Sequence, residues 1–401
     1  MTTTAPGPGQ TEVPPARRGR LARLGLLTDL EHPGQALSNI TPNWFAAVMG
    51  TGIVAVAAAS LPEQFPGLRT AATFVWGLAA ALLITLILAT AGHWRRYPQT
   101  ARGHAADPVM AHFYGAPPMA LLTVGAGTLL LGRDVVGLRA AVDADWVLWV
   151  AGTALGLLSA AVIPYLMFTR PLTSPRAAFG GWLMPVVPPM VSAACGALLI
   201  PHAPAGQPRL TLLLACYAMF GISLIASVIV ITLIWGRLAH GDAGPARLVP
   251  TLWIILGPLG QSVTAANLLG AAAKDALPAP YATGLRVFGV AYGVPVWGFA
   301  LLWAVIAAAI TVRTARRHLP FSLTWWSFTF PVGTCVTGTT ALALATGSVA
   351  LRVAAAIGFG ALVLAWLTVA ARTAHGAGRG WLLRPPPRSP ARADLQGSPL
   401  S

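Results

Sequence analysis

Long apolar runs recur along this chain of 401 residues, and they constrain its fold more than any other feature. Hydrophobic residues make up 56% of the chain and charged residues only 9%, whereas a soluble domain would carry roughly a quarter charged residues. A helix needs about 20 apolar residues to cross the hydrocarbon core of a bilayer. Windows of that length predict ten spans, at residues 41–61, 72–93, 108–131, 146–168, 180–200, 209–235, 250–272, 284–312, 325–346 and 349–373. We therefore expect an all-α integral membrane protein.

The distribution of charge predicts how these spans are oriented. Most of the 26 Lys and Arg residues fall on one side of the membrane if the N-terminus lies inside. The positive-inside rule then predicts a multi-pass protein of the inner (plasma) membrane with both termini in the cytoplasm. The basic residues lie in short gaps between apolar runs, which disfavours nucleic acid as a partner. All 11 acidic residues are expected in tails, loops or span ends.

The chain is expected to have three parts. Residues 1–37 form a basic cytoplasmic tail that is partly disordered, residues 38–373 form the membrane domain, and residues 374–401 form a disordered cytoplasmic tail rich in Pro, Gly, Ser and Arg. Leu and Arg alternate between Arg20 and Leu30. This alternation predicts either a short amphipathic helix on the inner leaflet or a solvated basic tail held near anionic lipid.

Helix-breaking residues concentrate in the odd-numbered spans. The fifth span contains Pro185, Pro188 and Pro189, whereas the second and sixth spans are uniform aliphatic runs. The eighth span, with Pro295, departs from this tendency. Proline inside a span frees a backbone carbonyl, which lipid cannot satisfy but neighbouring helices or a watery cavity can. We therefore expect five helical hairpins with the odd spans inside, around a central pore. The alternative is that Gly and Pro only allow close helix contact.

Polar residues follow the same division between odd and even spans, and they are neutral. Hydroxyls, amides and kinked backbone suit an anion that has lost part of its water, whereas carboxylates would select cations. Together with the helix-breaking positions they give the candidate pore-lining residues Thr51, His112, Pro117, Pro185, Pro188, Gly257, Gln261, Thr264, Asn267, Thr334 and Thr337.

Neither a metal site nor an enzyme is expected. Cys195, Cys216 and Cys335 all lie within apolar runs, and their spacing matches no metal-binding motif. A membrane-embedded enzyme or haem protein would need paired His ligands or a cluster of Asp, Glu and Cys on facing helices. Apart from His112, the histidines are expected in loops or at span ends, so we expect no catalytic residue and no cofactor.

Three segments carry a resemblance to a known family. They are TPNWFAAVMGTG at residues 41–52, GGWLMPVVPP at residues 180–189 and WWSFTFP at residues 325–331. Together they resemble the first, fifth and ninth spans of the tellurite-resistance/dicarboxylate transporter family, which includes plant slow-type anion channels, fungal malate permeases and sulfite exporters. The resemblance covers nearly all of residues 38–373.

The resemblance implies ten helices arranged as five hairpins around a pore, commonly in a homotrimer with one pore per subunit. It implies transport of small anions, either C4-dicarboxylates such as malate or inorganic anions such as chloride, nitrate, sulfite and tellurite-related oxyanions. In channel members a Phe of the ninth helix plugs the pore, and this role carries over to Phe330, with Phe328 as the alternative. Two residues along a helix differ by about 200°, so only one of these rings can face the axis. Either ring could instead serve only in packing.

Proton coupling gives a second functional hypothesis. A carrier for a dicarboxylate or sulfite that is driven by protons needs a titrating group in the pathway, and His112 is the one histidine expected well inside an odd span. A neutral imidazole can pass on protons near its ordinary pKa of about 6.5. A lone His in a helix can equally serve as an interhelical hydrogen bonder.

Overall fold

A computed structural model describes residues 27–30, 32–169, 177–241 and 243–384. The predicted amphipathic segment before Leu27 and the end of the C-terminal tail lie outside these residues. The described residues form no β-strand and twelve α-helices: α1 (Phe45–Ser60), α2 (Leu68–Arg96), α3 (Pro98–Ala106), α4 (Ala116–Gly127), α5 (Arg133–Val136), α6 (Leu138–Thr169), α7 (Pro188–Leu199), α8 (Gln207–His240), α9 (Leu256–Ala272), α10 (Ala279–Ala315), α11 (Phe330–Thr346) and α12 (Val349–Arg379).

Five of these helices, α2, α6, α8, α10 and α12, form an outer layer. They contain 29 to 37 residues each, and at about 1.5 Å per residue the shortest still exceeds the roughly 30 Å of bilayer hydrocarbon. Only 17 to 33% of their most apolar stretches is buried within the protein. Each presents large apolar side chains at the surface, among them Ile84, Leu158, Ile229, Leu302 and Leu364. This exposed apolar layer is suited to contact with lipid.

The inner layer is built from five segments of a common design. Each begins with a 3₁₀ turn and continues as an α-helix: Pro42–Trp44 before α1, Met110–Gly115 before α4, Gly180–Leu183 before α7, Ala246–Ile255 before α9 and Leu323–Phe328 before α11. In α1, α4, α9 and α11 with their 3₁₀ turns, 67 to 83% of the most apolar stretch is buried. Consecutive inner helices contact one another, and α11 contacts α1, so the ring closes. The expected arrangement of hairpins with the odd spans inside is confirmed.

Proline acts in the inner segments mainly by starting α-helices. Pro117, Pro188 and Pro331 lie in the first turn of α4, α7 and α11, where the missing N–H costs nothing because first-turn amides have no intrahelical partner. The expectation that these prolines kink continuous helices is therefore wrong. Prolines within long helices occur instead in the outer layer, at Pro164 and Pro295.

The number of continuous spans differs from the prediction. Nine helical segments of the described chain are long and apolar enough to cross a membrane. The fifth predicted span, at 180–200, is divided into the 3₁₀ turn Gly180–Leu183, the 12-residue helix α7 and the 3₁₀ turn Ile200–His202. Pro185, Pro188 and Pro189 remove three amide donors within five residues, which is why one helix does not run through this segment.

Helix α6 begins earlier than the apolar run predicts. It starts at Leu138 rather than near residue 146, so Asp145 lies about two turns inside the helix. Its side chain is fully buried. Asp145 therefore corrects the expectation that every acidic residue occupies a tail, a loop or a span end. The apolar window missed it because charged residues lower the hydropathy of the first turns without ending the helix.

Both described ends of the chain meet on one face of the bundle, which we call the terminal face. The Leu27 amide donates to the Gly378 carbonyl at 2.6 Å and the Asp29 amide to the Arg379 carbonyl at 2.9 Å. The Asn39 side chain donates to the Arg384 carbonyl at 3.0 Å. All five inner segments begin at this face and run toward the opposite face.

Candidate functional site

Two cavities lie inside the ring, one toward each face. The terminal-side cavity, of about 440 Å³, is lined by Ala46, Met49, Phe113, Met119, Met184, Val187, Ile254, Gly257, Leu323, Trp326, Ser327, Phe330 and Pro331. The opposite-side cavity, of about 560 Å³, is lined by Ile53, Val56, Ser60, Thr123, Ala126, Leu130, Val191, Ala194, Cys195, Leu198, Gln261, Thr264, Leu268, Phe330 and Thr337. Every inner segment contributes to both cavities.

Phe330 is the one described residue that lines both cavities. It is the first residue of α11, and only 3% of it is exposed. Phe328 points elsewhere: its ring makes edge contacts with Trp253 and Trp325, at centroid distances of 5.5 and 5.7 Å. The structure thus separates the two candidate gate residues. Phe330 lies between the cavities, and Phe328 belongs to an aromatic cluster outside them.

The cavity walls follow helical periodicity. The first inner segment contributes positions 46, 49, 53, 56 and 60, and the fourth contributes positions 254, 257, 261, 264 and 268. Steps of three and four residues keep side chains on one face of a helix. Each inner segment therefore turns a single stripe toward the ring axis, and its remaining faces contact neighbouring helices.

The two cavities differ in chemistry. The terminal-side cavity is almost entirely apolar, with Ser327 as its polar side chain. The opposite-side cavity carries four hydroxyls and one amide, from Ser60, Thr123, Thr264, Thr337 and Gln261. Among the described residues no Asp, Glu, Lys, Arg or His lines either cavity. The site therefore offers neutral polar groups on one side and apolar surface on the other.

All four hydroxyls of the opposite-side cavity already have a backbone carbonyl as hydrogen-bond acceptor, but the amide has no described partner. Thr264 and Thr337 share a hydrogen bond of 2.8 Å, and Thr123 donates to the Met119 carbonyl at 2.7 Å. Gln261 is 95% buried by protein, and its side-chain amide has no hydrogen-bond partner among the described residues. Its amide group is therefore available to whatever occupies the opposite-side cavity.

The inner α-helices share one direction, and this creates a field inside the ring. Ala46, Met119, Gly257 and Pro331 line the terminal-side cavity, and each lies in the first turn of its α-helix. A helix carries partial positive charge at its N-terminus. Several such termini around one cavity make its potential more favourable to an anion than to a cation.

Four of the predicted pore-lining residues, Gly257, Gln261, Thr264 and Thr337, line these cavities. Others join helices instead. Thr51 accepts a hydrogen bond from Trp366 Nε1 at 3.1 Å, and Asn267 donates to the carbonyls of Val263 and Gly289 at 2.9 and 3.0 Å. The hydroxyl of Thr334 on α11 lies 3.2 Å from the carbonyls of both Leu256 and Gly257 on α9.

The three predicted prolines also lie outside the two cavities. The Pro185 carbonyl accepts a hydrogen bond from Ser159 at 3.1 Å, and Pro188 faces Gly156 of α6. Pro117 lines a separate small cavity at the terminal face, next to Phe45 and His104. These positions fix the contacts between the inner and outer layers.

His112 lies outside both cavities as well. Its Nε2 is 3.0 Å from the Met167 sulfur of α6, and its ring stacks on Trp182 at a centroid distance of 6.0 Å and an interplanar angle of 6°. Its Nδ1 is buried and has no described partner. The structure therefore places this imidazole in the contact between the inner and outer layers.

A pair of histidines holds the terminal face together, and the sequence patterns did not single it out. His93 Nδ1 lies 2.7 Å from the Leu37 carbonyl, and His104 Nε2 lies 3.2 Å from Asn39 Oδ1. The two rings stack at a centroid distance of 5.3 Å. Burial lowers the pKa of His104, a charge on His93 lowers it further, and Asp107 opposes both effects.

Comparison with known proteins identifies relatives of the whole membrane domain. A family model described as voltage-dependent anion channel matches residues 39–374. The sulfite efflux pump of Trichophyton rubrum is 30% identical over 311 residues, which cover 76% of this chain and 82% of the relative. The sulfite efflux pump of Arthroderma otae is 29% identical, covering 85% and 91% of the two chains. The malic acid transport protein of Schizosaccharomyces pombe is 23% identical, covering 74% and 69%. The family expected from the three sequence segments is confirmed.

Proposed function

Because this chain belongs to the voltage-dependent anion channel family, and is thus a multi-pass membrane protein of anion transport, we propose that it moves a small inorganic anion through the ring. The pathway would run through the terminal-side cavity, past Phe330 and through the opposite-side cavity. The observation that carries this proposal is that two cavities, each lined by all five inner segments, share only Phe330 among the described residues.

Phe330 is proposed to be the constriction of this pathway. An aromatic ring across a narrow apolar bore blocks ions by its volume and by keeping water out. The apolar lining on its terminal side, with Met49, Met119 and Met184, strengthens that barrier because it offers an ion no hydrogen bond. The ring must therefore move aside, or be removed, before an ion can pass at a high rate.

The preference for anions is proposed to come from the helix N-termini and the neutral polar lining. Partial positive charge around the terminal-side cavity favours entry of an anion. Beyond Phe330, the Gln261 amide, which has no hydrogen-bond partner among the described residues, can donate to the anion and replace part of the lost hydration. No carboxylate of a described residue faces either cavity to repel it.

Sulfite is the substrate that these features favour over malate. Two relatives that cover most of the chain are sulfite efflux pumps. A dicarboxylate carries two charged groups, which proteins usually pair with Arg or Lys, and no described residue of that type lines the cavities. A small oxyanion can instead be held by a single amide donor, which Gln261 supplies. Malate remains the alternative that the malic acid transport protein suggests.

The membrane orientation belongs to the same proposal. The terminal face would be cytoplasmic in the plasma membrane, since Lys and Arg are enriched on the side that carries both termini. The sulfite efflux pumps are named for export, and the anion would then enter the terminal-side cavity first. The exposed apolar faces of the outer helices would contact lipid or, in a trimer, other copies of the chain.

Anion flux into liposomes containing the purified protein tests the proposal. The wild type is compared with Phe330→Ala and Phe328→Ala, using chloride, nitrate, sulfite and malate in turn. Phe328→Ala is the matched control because it truncates the same type of side chain two residues away, outside both cavities. We expect Phe330→Ala to raise flux severalfold and Phe328→Ala to leave it near the wild-type rate.

Two outcomes would contradict parts of this proposal. Flux that rises in Phe328→Ala but not in Phe330→Ala would place the constriction elsewhere. Malate flux that exceeds sulfite flux in every variant would reject the preference for a small inorganic anion. Both variants must elute from size-exclusion chromatography like the wild type, so that a loss of folding is not mistaken for a loss of transport.

A further inference from the structure

Asp145 is a carboxyl group buried within a membrane-spanning helix, and the pathway described above does not use it. Its side chain is fully buried, and neither carboxyl oxygen has a hydrogen-bond partner among the described residues. An ionised carboxylate without a partner is very costly in an apolar environment, and such a group takes up a proton instead. Ionisable residues within membrane spans are rare and usually serve ion or proton pathways.

The carboxyl lies directly behind the wall of the opposite-side cavity. It faces Gly125 of α4 so closely that a Cβ built there would be 2.5 Å from Asp145 Oδ1. Thr123 and Ala126, which flank Gly125 along α4, both line the cavity. On the other side, the Cys195 thiol of α7 lies within electrostatic range of the carboxyl and also lines the cavity. One layer of small side chains therefore separates Asp145 from the cavity.

No described positive charge compensates Asp145. Of the helices in contact with α6, α7 presents Cys195, and Cys216 of α8 lies behind that thiol. Arg133 and Asp134 on α5 are 3.8 Å apart and pair with each other, and Asp134 also pairs with Arg69 of α2 at 2.5 Å. On α6 itself, Arg139 and Asp143 are exposed.

The remaining titratable group that faces α6 is too distant to act on Asp145. His112 contacts Met167 near the other end of α6, about 33 Å along the helix at about 1.5 Å per residue. The charge of Asp145 must therefore be removed by a bound proton. When the carboxyl is ionised, water from the cavity must stabilise it.

We propose that Asp145 is a proton-binding site that controls anion passage through the opposite-side cavity. With the proton bound, the wall is neutral and the anion meets the hydroxyls and the Gln261 amide. When the proton leaves to water in the cavity, a negative charge remains behind Gly125, and in this poorly screened environment it repels the anion. Flux therefore falls as the pH at the opposite face rises. This inference rests on the proposed function of the ring.

The test measures flux in oriented liposomes while the pH at the opposite face is varied and the pH at the terminal face is fixed. Wild type, Asp145→Asn and Asp143→Asn are compared between about pH 5 and about pH 8, a range that covers carboxyl groups with ordinary and raised pKa values. Asp143→Asn is the matched control because it makes the same change at an exposed position of the same helix. The ratio of variant to wild-type flux at each pH removes the titration of the anion itself.

We expect wild type and Asp143→Asn to lose flux severalfold over this range. Asp145→Asn should stay at the level that the wild type reaches in acid. A wild type without pH dependence, or an Asp145→Asn variant that keeps the wild-type dependence, would overturn the inference.

Infrared spectroscopy supplies a readout that does not depend on transport. The carbonyl stretching band of a protonated carboxylic acid should be present at neutral pH in the wild type and absent in Asp145→Asn. If the band persisted in Asp145→Asn, the proton would belong to another carboxyl group and not to Asp145. If no variant transports any anion, the proposed function fails, and this band still decides whether Asp145 holds a proton.

Discussion

Replacing Gly260 by Ala tests how closely the inner ring is packed. Gly260 lies where α9 meets α11, and a Cβ built on it would be 2.4 Å from the Cys335 nitrogen, 2.5 Å from the Thr334 carbonyl carbon and 2.7 Å from the Thr334 oxygen. All three atoms belong to backbone, so no side chain can turn away. Two helices would have to separate by about 1 Å to restore ordinary van der Waals contact near 3.5 Å.

Gly257 is the matched control, one turn earlier on the same helix. A Cβ built there has no heavy atom within 4 Å, because it points into the terminal-side cavity. Alanine in a helix is more favourable than glycine by about 0.5–1 kcal/mol. Overpacking a close contact costs about 1–3 kcal/mol. We expect Gly257→Ala to be as stable as the wild type or slightly more so. Because the gain in helix propensity is common to both variants, Gly260→Ala should be less stable than Gly257→Ala by the overpacking cost alone, about 1–3 kcal/mol.

Unfolding in detergent, followed by circular dichroism as the denaturing detergent SDS is added, gives this comparison. The difference between the two variants is the informative quantity, since both share the gain in helix propensity and the same denatured state. If Gly260→Ala and Gly257→Ala unfolded at the same SDS content, the inference that α9 and α11 are in close backbone contact at Gly260 would be wrong. Gly257→Ala also narrows the terminal-side cavity, and flux through it should fall without loss of stability.

Two further predictions concern the cavity and the terminal face. Gln261→Leu keeps the size of the side chain but removes the one amide of the opposite-side cavity, so anion flux should fall while the elution volume stays that of the wild type. Burial and His93 lower the pKa of His104 below 6.5, so the folded terminal face favours the neutral His104 ring. The stability of the terminal face is therefore complete above about pH 6.5 and decreases as the pH falls below that value. Amide hydrogen exchange at residues 33–40, corrected for the intrinsic effect of pH on exchange, should therefore become faster in acid. The His104→Gln variant should show a smaller increase in exchange between neutral and acidic pH. Protection that did not change with pH in the wild type would contradict this prediction.

Hydropathy predicts the outer layer well because lipid imposes a simple rule. A helix that faces hydrocarbon must be apolar over about 20 residues, and α8 and α12 satisfy that rule without interruption. The inner segments obey a different constraint, since their backbone can be satisfied by neighbours. That freedom is why the fifth segment can be broken at Pro185 and Pro188 without exposing polar groups to lipid, and why a window of apolar residues miscounts it.

Polar residues could be assigned to inner helices from the sequence, but not to the cavity face. Asn267 and Gln261 both lie on α9 and look equivalent in composition, yet Asn267 bonds to the Gly289 carbonyl of α10 while Gln261 lines the opposite-side cavity. The missing information was the helical phase. Positions 254, 257, 264 and 268 follow from Gln261 at steps of three and four, so one correctly placed residue would have predicted the rest of the stripe, including the apolar members.

The position of Phe330 follows from how α11 begins. The 3₁₀ turn ends at Phe328 and the α-helix starts at Phe330, so the change of helix type falls between the two rings and separates their directions. Gly50 of α1 leaves room for this junction: a Cβ built there would lie 2.6 Å from the Trp326 ring and would also overlap the Thr329 hydroxyl. On the next turn, Gly333 accommodates Ile53 of α1, where a Cβ would lie 2.5 Å from the isoleucine side chain. Because contacts on both sides of Phe330 fix its backbone, the ring can leave the axis most easily by rotating about its own side-chain bonds, without movement of α11.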